Sequence, residues 1–466
     1  MHSEKSHFIF TSIAGIIIEI FLLVFISYNG VKGNIPLYMF IYSESFLVML
    51  TAFYFIKNPP RKVKPLPGES GEDLVKKDSA FLKFVAKLLK FKPEDSRKLF
   101  IPLLIISFGI IFRLTLFSTI NTTSPDVNRY VWEGKILYNG YNPYLLPPND
   151  TALNEFHDGL YNKVTYKNMS AIYPPFAQVI FVAAYMIAGE SFIGLKLIYL
   201  LFDLLIMWLL LKLLYMKGYN LNNIILYAWM PLILLEYYVN VHLDLVGIFF
   251  MMCFIYAMEK VRFYPAVIFF TFAFITKMYP VILFPLVFRK FGFKKSFTFL
   301  YFFVLGSLFF FIPFIYKDIS IFSSLLTYLK QWQFNASVYY LLLHYLHDPV
   351  ISRLICTGGF ILSVGLISFL YKDFTKACYA IFITLIIFST TLYPWYLGWI
   401  AALNPFYNFY SVTSLLFTVN FSNFTTVSDV WVEYNFVLFT EYILFFGLLI
   451  YDLWLLYKNR ERNKKI

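Results

Sequence analysis

The sequence predicts an all-α polytopic membrane protein, and three observations carry that prediction. Apolar residues make up 59% of the 466-residue chain and charged residues only 14%. The apolar residues recur in windows close to the roughly 20 positions a helix needs to cross a bilayer. Basic residues cluster: twelve Lys and Arg lie between Lys57 and Lys98, and another group closes the chain at Lys458-Asn-Arg-Glu-Arg-Asn-Lys-Lys465. Such clusters mark cytoplasmic loops. They explain the net charge of +12 without nucleic acid. Cys253, Cys356 and Cys378 sit in apolar segments at unrelated spacings and suggest neither a metal site nor a disulfide framework.

In chain order, Phe8–Tyr28 and Pro36–Ile56 supply two N-terminal membrane helices, residues 1–56. Phe8–Tyr28 is too long for a signal-peptide core and lacks a clear small-residue cleavage site, so it reads as a retained anchor. Residues 57–98 form a basic cytoplasmic linker. Its first half, rich in Pro and Lys, is expected to be irregular. From Phe81 to Lys92, Lys83, Lys87 and Lys90 share one helical face, while Phe84, Leu88 and Phe91 form an apolar stripe. That pattern predicts an amphipathic helix on the inner leaflet.

Residues 99–466 form the main transmembrane domain. Its windows include Phe100–Ile120, Lys196–Tyr215, Ile224–Val239, Leu243–Ala257, Ser296–Tyr316, Val350–Tyr371, Ala377–Leu392 and Phe436–Tyr457. With shorter pieces, about 11 to 14 membrane helices are expected in the chain. The first crossing leads into a polar loop, 120–171, much longer than the roughly 15 residues beyond which structureless loops become uncommon. Interfacial helices are expected there, the first near Asp126–Tyr138. Its placement outside follows from the basic linker before it.

Topology after this loop has two solutions. If the segment from Tyr173 to Gly189 spans fully, His242 and Asp244 fall inside. If it re-enters or lies in the interface, they face outside with Asp126, the arrangement favoured here. Between Arg262 and Arg289 the chain is interrupted by Pro280 and Pro285, which suggests two short half-helices. No internal repeat, glycine-rich phosphate loop, HExxH or spaced Cys/His cluster is present in the sequence.

Candidate chemistry begins with Asp126, Arg129, Tyr130 and Glu133, which line one helical face at i, i+3, i+4 and i+7. Asp126 can be a base or a helix cap. Arg129 can hold a phosphate or pair with Asp126 or Glu133. Trp132 can line a site or anchor the interface. His242 and Asp244 sit between two apolar segments, either in a site or on a short outer turn. Lys277 lies nearer the outer side and can meet a lipid phosphate or snorkel to a headgroup. Glu19, Glu44, Asp203 and Glu236 fall within apolar spans, where a charge needs a partner, water or a role. Trp332 to Asn335, and Trp395 with Tyr396, stand at turns beside spans.

These residues resemble the polyprenol-phosphate-sugar-dependent GT-C glycosyltransferases, particularly the mannosyltransferase-like branch. That branch carries Asp-x-x-Arg-Tyr-x-Trp-Asp-Gly followed by Gly-x-Asn-Pro-Tyr in its first large outer loop. Asp126, Arg129, Tyr130, Trp132, Gly134, Gly140, Asn142, Pro143 and Tyr144 match, and Glu133 stands where Asp is usual. Tyr173-Pro-Pro175, His242-Leu-Asp244, Thr276-Lys-Met-Tyr-Pro280, Trp332-Gln-Phe-Asn335 and Pro394-Trp-Tyr396 resemble further motifs in order. The resemblance covers roughly Phe100 to the C-terminus and leaves the first two helices as an extension without an assigned role.

The resemblance implies a GT-C-like helical bundle in the plasma membrane, with an extracytoplasmic active site. The implied reaction moves a hexose, most commonly mannose in this branch, from a polyprenyl-phosphate sugar to a lipid or glycan acceptor. Asp126 would take the acceptor's proton, Arg129 and Lys277 would stabilise the departing phosphate, and Asp244 would order hydroxyls. Substrate contacts are also implied for Tyr130, Trp132, Glu133, Asn142, Tyr144, Tyr173, His242, Trp332, Asn335, Trp395 and Tyr396. No cofactor is implied; metal dependence varies in the family, and no ligand set here compels one. Two other readings compete: a transporter or lipid flippase using the intramembrane carboxylates, and a non-catalytic membrane scaffold.

Overall fold

The computed structural model describes residues 2–28, 34–57, 80–315, 322–427 and 432–464. The first half of the linker, expected to be irregular, lies outside the described residues. Among those described there is no strand, only a lone bridge between Phe334 and Thr391.

Helices α1 (His2–Tyr28) and α2 (Ile35–Lys57) pack as an antiparallel hairpin, with Phe10 on Phe55 at one end and Phe25 against Tyr38 at the other. α3 (Ala80–Leu89) is the amphipathic helix, and its Phe81, Phe84 and Leu88 are 61%, 63% and 60% exposed. Such a face is suited to a lipid surface. Phe91 leaves the expected stripe: Lys90 adopts φ +60°, the helix stops, and Phe91 turns in to stack on Tyr215 at 3.8 Å.

α4 (Phe100–Thr115) ends at the polar loop, where α5 (Asp126–Tyr138) has the bounds that the sequence predicted. Then come α6 (Pro175–Ala188), α7 (Ile193–Met216), α8 (Pro231–Tyr238), α9 (Asp244–Glu259), α10 (Phe263–Thr276) and α11 (Pro285–Ile315). α11 is interrupted at Gly292, whose φ of +75° suits a residue without Cβ. α12 (Ser323–Gln331), α13 (Val338–Leu346), α14 (Pro349–Leu370), α15 (Phe374–Phe388), α16 (Tyr410–Thr418) and α17 (Asn435–Lys464) complete the bundle.

Contacts between distant segments give the bundle two distinct ends. At one, Asn142 of the loop donates to Phe314 O at 3.0 Å, and Lys277 meets Asp244 at 2.6 Å. At the other, Lys217 bridges Glu259 and Asp373 at 2.7 and 2.8 Å, and Arg289 donates to Ser368 O at 3.0 Å. The polar loop, His242, Asp244 and Lys277 therefore share one end, while Arg262 and Arg289 lie toward the opposite end.

Helix α6 decides the topology. Tyr173, just before it, touches Tyr130 of α5, and just beyond it Lys196 donates to the carbonyls of Leu116, Phe117 and Thr119 after α4. Both ends of α6 are thus at the loop end. At 14 residues it would reach only about 21 Å, short of the roughly 30 Å hydrocarbon thickness. It lies along the bundle end, the solution that puts Asp244 beside Asp126. Gly134 of α5 permits the close approach, since a Cβ there would overlap the carbonyl of Phe181.

Among the described residues, seven helices are long and apolar enough to cross a membrane by length and composition. The shorter apolar helices α10 and α15, together with α9 and the broken segment through α8, also run between the two ends. They account for the larger number of apolar windows in the sequence. The chain breaks after Thr276 and turns at Tyr279–Leu283 before Pro285, giving the half-helix arrangement expected there.

Arg113 and Asp203 pair at 2.6 Å with both side chains fully buried. Tyr227 and Tyr238 donate to Asp203 at 2.8 and 2.9 Å, while Arg113 Nη1 donates to Gly109 O and Ala228 O. Removing one partner strands the other charge. Arg113→Met is expected to cost about 3–5 kcal/mol, and Arg113→Met with Asp203→Leu to recover most of that loss. Thermal unfolding in detergent measures both.

Candidate active site

The site starts at the first residue of α5. Pro125 occupies the cap position, and no side chain there bonds to a helix amide, so Asp126 is not the cap. Its side chain is 32% exposed and faces His242, with Oδ2 at 4.0 Å from Nδ1. Tyr130, one turn on, stacks on Phe181 and shares a 2.9 Å hydrogen bond with Tyr173.

His242 and Asp244 are delivered by the tight turn between α8 and α9. Val241 there has φ +59°, a conformation unfavourable for a β-branched residue and held in place by its surroundings. His242 is buried flat against Trp395, ring centroids 3.7 Å apart, which in turn stacks on Tyr393. Its Nδ1 lies 3.4 Å from the Tyr130 hydroxyl. Its Nε2 makes no hydrogen bond and lies 3.7 Å from Glu236 Oε2.

Asp244 begins α9 and is almost completely buried. One oxygen receives both Lys277 Nζ at 2.6 Å and Trp399 Nε1 at 2.7 Å. Lys277 reaches it because the backbone becomes extended at the end of α10, with φ −154° and ψ 131°. The ammonium also lies over Tyr396 at 4.4 Å and Tyr279 at 5.1 Å, a cation–π arrangement. Both rings line a mainly apolar crevice with Phe382, Leu385, Leu392 and Ile400.

Crowding by the surrounding protein disfavours the Asp126 anion and pushes its pKa up to about 6, against the pull of Lys277 and Arg129; Asp244 pushes the same way as burial. Burial, with Lys277 nearby, holds His242 well below the usual imidazole range, hence neutral at pH 7. A carboxylate tuned toward neutrality beside a neutral imidazole is suited to moving a proton. Among the described residues no group of three or more His, Cys, Asp or Glu side chains could hold a metal ion.

The structure thus gathers Asp126, Tyr130, Tyr173, His242, Asp244, Lys277, Trp395 and Tyr396. Other expected contacts have different places. Arg129 pairs with Glu133 at 2.6 Å and donates to the carbonyls of Tyr166 and Met169, so it clamps the loop while lending Asp126 its field. Glu133 is buried and also accepts from Gln178 at 2.7 Å. Trp132 packs on His157 and Tyr161 inside the loop. Asn142 ties the loop to α11, and Tyr144 donates to Tyr173 O.

Trp332 is at the rim, against Tyr166 and Tyr328. Asn335 is held elsewhere, by Glu433, Glu441 and Tyr442. Sequence reasoning missed Tyr279, Tyr328 and Trp399 as site neighbours. Tyr279 falls within the Thr276–Pro280 motif and Trp399 lies just beyond Pro394-Trp-Tyr396, but nothing in the sequence distinguishes Tyr328.

Comparison with known proteins gives one family match, to a glycosyltransferase family. Residues 108–290 match the family described as alpha-(1->6)-mannopyranosyltransferase, N-terminal domain. The match supports the mannosyltransferase-like branch of the GT-C glycosyltransferases and spans the segment from α4 to the start of α11, including Asp126, His242, Asp244 and Lys277. No curated protein and no solved structure matches the chain.

Because folding raises the Asp126 pKa, the fold favours the neutral carboxyl and gains nothing from the charge. Asp126→Asn should therefore unfold at the same temperature as the parent or higher, a result to be checked by thermal unfolding in detergent.

Proposed function

We propose that the protein transfers mannose from a polyprenyl-phosphate mannose to a hydroxyl of a lipid or glycan acceptor, on the extracytoplasmic side of the plasma membrane. The observation that carries this reading is the meeting of Asp126, His242 and the Asp244–Lys277 pair beside an apolar crevice. These residues come from three separate parts of the stretch matched by the mannosyltransferase family. Basic residues toward the opposite end of the bundle support the sidedness.

In this mechanism the acceptor oxygen attacks the anomeric carbon in a single displacement. The acceptor's proton passes to the Asp126 carboxylate. The bond from the anomeric carbon to the phosphate oxygen breaks, and its electron pair leaves with the polyprenyl phosphate. Lys277, fixed by Asp244 and the rings of Tyr279 and Tyr396, provides positive charge where the phosphate departs. The crevice beside those rings takes the first apolar part of the lipid chain. Tyr130, Tyr173 and Trp395 form walls against which the sugar can be oriented. The reaction as written needs no cofactor.

Purified protein given labelled polyprenyl-phosphate mannose and cell-envelope extract should form a labelled glycan or lipid. Asp126→Asn should lower that rate about 10²–10⁴-fold, the usual contribution of general-base help. Wild-type protein inert with every polyprenyl-phosphate sugar, in lipid conditions that keep it folded, would reject the assignment.

The base must be ionised to act, so activity should rise with pH through the Asp126 pKa. The acid limb of kcat/KM is expected to have its midpoint near 6. A limb at the ordinary aspartate value of about 4 would mean that Asp126 is not the group being titrated.

A further inference from the structure

The α1–α2 hairpin lies outside the segment matched by the mannosyltransferase family, yet it enters the site from behind. Tyr38, near the start of α2, is fully buried and donates its hydroxyl to Glu236 Oε1 at 2.8 Å. The same hydroxyl accepts from Asn240 Nδ2 at 3.3 Å. Glu236 Oε2 is the atom 3.7 Å from His242 Nε2. One phenol therefore touches both supports of the Asp126–His242 pair.

Asn240 is the second support. Its side-chain oxygen accepts the backbone N–H groups of Thr122 and Thr123 at 3.1 and 3.0 Å. Its nitrogen reaches Thr123 Oγ1 at 2.7 Å and Glu236 Oε2 at 3.0 Å. Thr122 and Thr123 are the last residues before the Ser124-Pro125-Asp126 entry to α5, so their position sets that of Asp126. The hairpin can bear this role because α2 is anchored independently. Tyr38, Tyr42, Ser45, Met49, Ala52 and Ile56 lie on its buried face. Tyr42 donates to Leu416 O, and Asn420 donates to Met39 O at 2.9 Å.

We propose that Tyr38 is a positioning residue for Asp126, acting through Asn240 and Glu236, and that the N-terminal hairpin is thereby a working part of the active site. The inference rests on the reading of Asp126 as the base. Tyr38 itself meets no substrate. It holds the 122–126 segment through Asn240, and through Glu236 it sets what His242 faces on the side away from Asp126. The ionisable groups around His242 are Asp126 and Tyr130 of α5, Tyr173 before α6, Glu236 of α8, Asp244 of α9 and Lys277 after α10. A change at Glu236 therefore reaches the titration of this set.

The test compares full-length wild type, Tyr38→Phe and Tyr42→Phe, measuring mannose transfer from polyprenyl-phosphate mannose against donor concentration and pH. Both variants remove one buried hydroxyl from α2, but only that of Tyr38 is hydrogen-bonded to Glu236 and Asn240, whereas that of Tyr42 donates to Leu416 O. Tyr38→Phe is expected to lower kcat per folded molecule about tenfold, within the cost of a small misplacement of a catalytic group. Donor KM should stay within about twofold, since only transition-state geometry is touched, and the acid limb should move. Tyr42→Phe should keep the wild-type kcat and pH profile.

A Tyr38→Phe enzyme with unchanged kcat and pH profile would overturn the proposal. So would an equal loss in Tyr42→Phe, which would make the effect general loosening. If Tyr38→Phe does not fold, Glu236→Gln serves, and an unchanged pH profile there has the same consequence. Wild-type protein without transfer from any donor would instead sink the underlying reading, and this inference with it.

Discussion

Lys277 reaches Asp244 across the mouth between α9 and α10, and the rest of the site is arranged around that contact. The two helices run antiparallel and are joined at the far end by only a few residues. Their near ends are free to separate unless something closes them, and a 2.6 Å ion pair shielded from solvent does so. The geometry has a local requirement: α10 must stop at Thr276 and the chain must turn extended, which Pro280 and the following turn enforce. Trp399 closes the third side by donating to the same carboxylate oxygen, bringing the Trp395–Trp399 segment over the site. His242 then has a wall to stack on, and Asp126 has a neighbour. A single buried charge pair thereby organises residues from α5, the α8–α9 turn, the end of α10 and the turn after α15.

Much of this was legible from residue order. An interfacial helix was expected near Asp126–Tyr138, and α5 occupies that interval. Breaks at Pro280 and Pro285 marked the half-helices. The basic stripe in 81–92 marked α3, except that Phe91 was taken by Tyr215, an aromatic partner more than a hundred residues away. The placement of Asp244 beside Asp126 required α6 not to cross, and its 14 residues agree with that solution.

What sequence could not show was which polar groups would be consumed by the fold. Arg129 has the charge and location of a phosphate ligand. Its donors instead go to Glu133 and to two loop carbonyls, and backbone acceptors leave no mark in a pattern of side chains. Trp132, Asn142 and Asn335 similarly hold the loop and the far side of the bundle together. Arg113 gave no signal because its partner, Asp203, is one carboxylate among several in apolar spans, and only the fold brings the two together. The same limit applies to Tyr38, an ordinary tyrosine in an apolar helix until the fold sets it against Glu236.

Buried polar groups differ in how fully the fold pairs them, in scaffold and site alike: among the described residues Arg113 Nη2 and the Tyr199 hydroxyl lack a hydrogen-bond partner just as His242 Nε2 does. Lys196 has four oxygen acceptors, and Asp203 is bonded to Arg113, Tyr227 and Tyr238. Such groups are satisfied because an unpaired one inside a bundle is costly. His242 is less completely paired. The Asp126 carboxylate stands 4.0 Å from its Nδ1, and among the described residues His242 Nε2 is buried without a hydrogen-bond partner. The fold spends Val241's unfavourable backbone conformation in the turn that holds them. A folded chain tolerates such incompleteness most readily where something else completes it. Here the missing partner would enter from the open side of Asp126, between the tyrosine wall and the lysine, where the proposed mechanism brings an acceptor hydroxyl and a phosphate-linked sugar together.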